Sequence, residues 1–286
     1  MKTCSFCRRK FFFFVNFDAK GYCPACHEWS VRSEKEKRQR EQYESEQRQK
    51  MRSWINSLPS FEIVISDEPY KRQRGYEAFD FSNITPKGSY DGDVVVFDTE
   101  TTGLSPSKDR IIEIGAIRYF NGEPVEKFHS YVNPERHIPE EVTKINHITD
   151  DMVVGAPTIG QILPSFDEFI GKSMLVAHNL EFDLKFIFYS GSRVLETKRK
   201  YIDTLDQAHR LIKKDEIYDY KLATLAEYYK HYIADAHSAL SDAFATGWLF
   251  YHLVLEKQGT VHFVKNPSLP SKDDGNSLFN LMGVQK

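Results

Sequence analysis

The sequence has no long apolar stretch. Its longest run, Phe11 to Val15, falls far short of the roughly 20 residues a membrane-crossing helix needs. Met1-Lys2-Thr3-Cys4 opens without the apolar segment of a secretion signal. Cysteine is scarce: there are four, all before residue 27. A secreted disulfide framework would be spread through its fold, so these absences place the expected chain in the cytoplasm, away from membranes. Internal repeats are missing too. So is an overall positive charge: the 286 residues carry a net −3.

That charge is unevenly spread. Residues 1–91 balance to +4, residues 92–256 to −9 and residues 257–286 to +2. An acidic domain repels phosphate unless cations sit in it. The imbalance points to a metal site in the acidic part, with the basic N-terminal part assisting attraction of a polyanion.

Five segments follow from the pattern. Residues 1–30 are a compact Cys-rich module. Residues 31–58 are a charged helical linker with opposite charges at helical spacing, as in Glu34/Arg38, Glu36/Arg40 and Lys37/Glu41. Each such pair adds about 0.2–0.5 kcal/mol to an exposed helix. Met51, Trp54, Ile55 and Leu58 then form an apolar face, which Pro59 ends. Residues 59–91 are a connecting segment with one strand-like run, Phe61–Ile65. Residues 92–256 read as strands at 93–98, 110–120, 125–132, 173–177 and 201–203, with Asn121-Gly122 as a hairpin turn. Helices are expected at 159–170, 180–189, 205–213, 222–229 and 239–255. A meander followed by alternating helix and strand gives an α/β fold, a mixed sheet flanked by helices. Residues 257–286 are a polar tail carrying an apolar patch, Leu278–Met282.

Acidic residues recur where apolar strands end. Asp98 and Glu100 follow Val94-Val95-Val96-Phe97, and strand alternation points both the same way, with Thr99 opposite. Two carboxylates at the end of an interior strand repel and lose hydration, penalties that a divalent cation removes. Oxygen ligands select Mg²⁺ or Mn²⁺. Asp183 lies where a second apolar strand gives way to a helix, a place that also suits a capping carboxylate. His237 and Asp242 lie five apart. That spacing puts His237 on a loop entering a helix and Asp242 on its second turn.

Together these stretches, FDTETTGL at 97–104, AHNLEFD at 177–183 and HSALSDA at 237–243, resemble the DnaQ-like exonucleases in their His-containing branch. IIEIGA at 111–116 and LATLA at 222–226 extend the likeness, which covers about residues 92–256. Ile145-Asn146-His147-Ile148-Thr149 departs from it, with His147 where Gly is usual. The resemblance implies an RNase H-like sheet and removal of nucleotides from a free 3′ end as nucleoside 5′-monophosphates. It also implies a pair of Mg²⁺ or Mn²⁺ ions, roughly 3.5–4 Å apart in two-metal sites, on Asp98, Glu100, Asp183 and Asp242. His237, an imidazole able to accept a proton near neutral pH, becomes the general base. The turn at Thr101, Thr102, Gly103 and Leu104, with Asn179 and Phe182, becomes the candidate contact for the terminal nucleotide; plain core packing is the other reading of Leu104 and Phe182. Family members that proofread work beside bacterial replicative polymerases, which makes a polymerase or a sliding clamp a candidate partner, the latter through Leu278–Met282.

Cys4-x2-Cys7 and Cys23-x2-Cys26, 15 residues apart, have the spacing of a four-Cys site for one Zn²⁺ in a zinc-ribbon-like module, with two redox pairs or a chance arrangement as the alternatives. His27 reads as a bystander. Arg8-Arg9-Lys10 beside Phe11–Phe14 suits single-stranded nucleic acid, although the rings also suit covering the zinc knuckles. Lys198-Arg199-Lys200 and Lys213-Lys214 are further candidate phosphate contacts or plain solvated surface. Three functions are consistent with all this: a 3′→5′ exonuclease acting on single-stranded DNA ends in proofreading or repair, an RNA-processing exonuclease of the same fold, and an inactive nucleic-acid-binding or polymerase-associated scaffold.

Overall fold

The computed structural model describes residues 2–11, 16, 18–72, 92–197 and 199–258. The chain forms two compact units, Met1–Lys50 and Met51–Lys286. Most of Phe11–Phe14, together with Lys198 and Leu278–Met282, lies outside the described residues.

In the first unit, β1 (Lys2–Thr3) pairs antiparallel with β2 (Lys10–Phe11). Between them Cys4 accepts the Arg8 N–H on its carbonyl, and Arg8 takes a left-handed φ of 59°. Helix α1 (Pro24–Ser57) starts inside the Cys-rich module, with Pro24 at the first helical position, where its missing N–H costs nothing. Asp18 accepts the Lys20 and Tyr22 N–H groups and pairs with His27 Nδ1 at 2.7 Å, which occupies His27 away from the cysteines. Lys37 meets Glu41 at 3.8 Å and Arg40 meets Glu44 at 3.3 Å, while Glu34 turns to Lys20.

The second unit is built on a five-stranded sheet in the order β5-β4-β3-β6-β7. Its strands are β3 (Asp93–Thr101), β4 (Ile111–Phe120), β5 (Glu123–Tyr131), β6 (Met174–Ala177) and β7 (Tyr201–Asp203). The first three form an antiparallel meander; β6 and β7 run parallel to β3. This is the RNase H-like mixed sheet.

The central strand β3 shows how the core is divided. Val94 and Val96 face one layer with Ile117, Tyr119, Phe244 and Trp248, where α8 (Ala239–Gln258) lies across β3 and β4. Val95 and Phe97 face the other, with Phe128, Phe166 and Phe169 under α4 (Ile159–Ile170) and α5 (Leu180–Tyr189). Both layers are buried and aromatic-rich. Met51, Ile55 and Leu58 pack into the α8 layer with α6 (Thr204–Leu211) and α7 (Leu222–Tyr228).

Three sequence expectations need correction. Phe61–Ile65 is not a strand. Only Ser60 bridges to Lys127, and Phe61 and Ile63 pack as a covering strap on the α4 layer. The first strand runs to Thr101 rather than Asp98, so Asp98 and Glu100 lie within paired sheet. Short helices α2 (Glu140–Asn146) and α3 (Asp150–Val153) appear where no periodicity marked them.

Candidate active site

Asp98 and Glu100 continue the Val94/Val96 face toward α8, while Thr99 continues the opposite face toward α5. The register shifts between Glu100 and Thr101, so Glu100 lies opposite Glu113 and Thr101 opposite Ile111. This bulge ends the regular ladder beside the acids.

Asp183 is buried in the first turn of α5. Its Oδ1 accepts both the Thr99 N–H at 2.9 Å and the Thr99 hydroxyl at 2.6 Å. Thr99 thereby holds one oxygen of Asp183 beside Asp98.

Asp242 lies on the first turn of α8, not the second, because the helix starts at Ala239. Its Oδ2 accepts the His237 N–H at 3.1 Å, closing the turn in which His237 takes a φ of 65°. His237 is exposed. Ligand atoms of Glu100, His237 and Asp242 all lie within 4.8 Å of one another. Asp98 and Asp183 stand outside that triplet but share its field.

Burial pushes all four carboxyls up. Asp98 is raised well above its ordinary range by desolvation and then by the charges of Asp183, Asp242 and Glu100. Glu100 is pushed to about 8 by desolvation, against an amide hydrogen bond from Asn146. Asp183 reaches about 7 by desolvation despite the two Thr99 donors. Asp242 also reaches about 7, again by desolvation, opposed by the His237 N–H. Metal-free, the cluster strains against its own charge. That chemistry fits divalent cations, since oxygen donors crowded at this cost take hard ions.

Sequence reasoning missed the groups that hold these elements together. Glu113, 1% exposed, accepts the Ala239 N–H at 3.0 Å, the Ser238 hydroxyl at 3.3 Å and a hydrogen bond with His129 Nε2 at 2.7 Å. It ties the entrance of α8 to the sheet. Gly115, paired with Asp98, has the backbone of Ala239 and Leu240 where a Cβ would be, so the helix rests directly on the strand. Asp203 accepts N–H groups from Asn179, Leu180 and Leu205 and fixes the turn entering α5. The sequence signal for the first two was IIEIGA, visible as matching letters without a physical reason.

Of the candidate nucleotide contacts, Leu104 is 84% exposed, which removes the core-packing reading. Thr102 spends its N–H and hydroxyl oxygen on Arg110, and the Thr101 hydroxyl donates to the Gly103 carbonyl, so these groups brace the loop. Asn179 takes a φ of 71° and lines a cleft together with His237 and Asp242. Phe182 packs partly on the α4 layer, 4.9 Å from Phe186. His147 takes a φ of 60°, the left-handed conformation that explains why glycine is usual there.

The four Cys sulfurs lie within 4.8 Å of one another, with Cys4 and Cys23 buried and none in a disulfide.

The sequence model of the RNase_T family, described as "Exonuclease", matches residues 95–250. The chain belongs to the DnaQ-like exonuclease family. It is 36% identical over 220 residues to the PolC-type DNA polymerase III of Clostridium perfringens, covering 74% of this chain and 15% of that protein. It is 41% identical over 172 residues to the PolC-type DNA polymerase III of Caldanaerobacter subterraneus, covering 60% and 12%. The chain thus spans a small part of the length of these polymerases. Among solved structures, E. coli exonuclease I in complex with a dA16 oligonucleotide shares the fold, with a TM-score of 0.51, 20% identity and coverage of 59% of this chain and 42% of that one. Among the described residues no helix of this exonuclease-family chain is long and apolar enough to cross a membrane.

Proposed function

We propose that the protein removes nucleotides from the 3′ end of DNA by hydrolysis, using two divalent cations held by Asp98, Glu100, Asp183 and Asp242. The carrying observation is the convergence of Glu100, His237 and Asp242 within 4.8 Å beside half-buried Asp98 and buried Asp183. When bound, Mg²⁺ or Mn²⁺ supplies Lewis-acid polarisation of phosphate and offsets the carboxylate charge. Asp98, Glu100 and Asp242 are the principal ligands; Asp183 offers the oxygen that Thr99 leaves free. His237, exposed at the mouth, accepts the proton of the attacking water on a ring nitrogen. The product is a nucleoside 5′-monophosphate. Exposed Leu104 meets the terminal base, with Asn179 and Phe182 beside it.

In the first unit, the four cysteines hold one zinc ion. A module of that size has little core of its own, and tetrahedral thiolate binding supplies the missing constraint. Similarity to replicative polymerases supports a cytoplasmic role beside such a polymerase or its clamp.

The test is degradation of 5′-labelled single-stranded DNA and RNA with Mg²⁺, with Mn²⁺ and with EDTA. A ladder of shortening DNA that EDTA abolishes is expected. Preference for RNA would transfer the activity to RNA processing, and absence of cleavage with either metal would leave a scaffold.

A further inference from the structure

The catalytic corner opens into a cleft of about 1310 Å³, far larger than one terminal nucleotide would need, and its lining is of mixed chemistry. Asn179, His237 and Asp242 line it, and so do Lys213, Lys214, Tyr218, Asp219 and Lys221 from a single segment. Three lysines from one short segment stand out in a domain whose balance is −9.

The acids of this segment are already engaged. Asp219, which lines the cleft, accepts the Lys221 N–H and the Thr224 hydroxyl and pairs with Lys221 Nζ at 3.8 Å, and Glu216 accepts the Tyr228 hydroxyl. Asp215 and Glu216 do not line the cleft. Lys213 and Lys214 make no ion pair among the described residues. Tyr218 is 95% exposed, an unusual state for a large ring unless something stacks on it. The wall is nevertheless anchored. His178, from the second acidic stretch, hydrogen-bonds Thr204 Oγ1 through Nδ1 and the Tyr220 carbonyl through Nε2, each at 2.9 Å. The Tyr220 ring also packs against His209 at a tilt, with centroids 3.9 Å apart. The segment bearing Tyr218 is therefore tied to the strand end that leads into Asn179.

We infer that this wall of the cleft holds the single strand upstream of the terminal nucleotide, with Tyr218 stacking on a base and Lys213 and Lys214 contacting phosphates. An exposed ring that shares a cleft with the unpaired Lys213 and Lys214 is the arrangement that binds single strands without reading their sequence. The inference rests on the nuclease reading above. It adds that affinity grows with strand length through residues that take no part in the chemistry.

The test compares Tyr218→Ala, Tyr218→Phe and the double variant Lys213→Ala/Lys214→Ala with the unaltered protein. The probes are oligothymidylates from dinucleotide to dodecanucleotide and the p-nitrophenyl ester of thymidine 5′-monophosphate, which fills only the catalytic corner. Tyr218→Ala should raise KM for long strands by roughly 5- to 100-fold, with Tyr218→Phe close to the parent. The double lysine variant should flatten the dependence of log KM on log salt by about 1.4, near 0.7 per lost phosphate contact. Ester hydrolysis should be unchanged in all three. Unchanged KM for long strands in both Tyr218→Ala and the lysine variant would overturn the inference, as would equal losses on the ester. Failure of the unaltered protein to cleave any probe would instead overturn the nuclease reading.

Discussion

Glu100 and Glu113 stand directly opposite each other on neighbouring antiparallel strands, yet they are served differently. Like charges in that position destabilise a sheet. Glu113 is satisfied from within by the Ala239 amide, the Ser238 hydroxyl and His129, while Glu100 faces the open site with one amide donor from Asn146. Replacing Glu113 with Ala should leave the Ala239 amide and His129 without their partner. It should cost about 1–3 kcal/mol per stranded group and lower activity by releasing the entrance of α8. Denaturant midpoints and kcat measured together check this; a variant with unaltered stability and rate would show that Glu113 does not anchor the helix.

Asp98→Ala should abolish nuclease activity without unfolding the chain. It removes a carboxyl that desolvation and neighbouring charge raise well above its ordinary range, so the metal-free variant should be at least as stable as the parent. Activity retained in that variant would overturn the site assignment.

His237→Ala should lower the rate by about 10²–10⁴-fold, the usual contribution of a positioned base, while leaving divalent-ion affinity nearly intact. The ring lies close enough to Glu100 and Asp242 for ligation to be the rival role. Calorimetric titration with Mn²⁺ separates the two: a large loss of affinity would make His237 a ligand.

Raised carboxyls make both stability and metal affinity depend on pH. Unfolded carboxylates titrate near 4, roughly. In the folded chain Glu100 is pushed to about 8, Asp183 and Asp242 to about 7, and Asp98 well above its ordinary range. The folded state therefore holds more protons. The stability these groups contribute is complete below the unfolded value and is lost as pH rises through the folded values. Divalent ions reverse that loss, and their apparent affinity should climb about tenfold per pH unit for each proton displaced. Thermal scans with and without Mg²⁺ across this window should show Tm curves diverging as pH rises; parallel curves would contradict the coupling.

One zinc should leave each chain when a thiol-competing chelator is added, and the Met1–Lys50 unit should lose its hairpin on release. Purified protein free of zinc would end the metal reading.

Much of the second unit was legible because buried strands and helices carry their own periods. The runs at 111–120 and 159–170 announced themselves, and the three acidic stretches carried the family resemblance. Phe61–Ile65 misled because alternation reports two faces but not a partner, and that segment found a helical layer to cover rather than a strand to join. The roles of Glu113, Asp203 and Gly115 were hidden for a different reason. Each acts on backbone groups far away in sequence, and main-chain amides leave no letter by which to foresee the meeting.

The contact at Gly115 has a consequence for how the acids stay in step. Elsewhere two layers meet through side chains, whose rotamers let the gap breathe and drift as the core accumulates substitutions. Here main chain sits on main chain, so the gap between Asp98 and the helix bearing Asp242 is fixed by backbone van der Waals contact rather than by the fit of neighbouring rings. The core can therefore be rebuilt around this point without detuning the spacing between the opposing carboxylate oxygens.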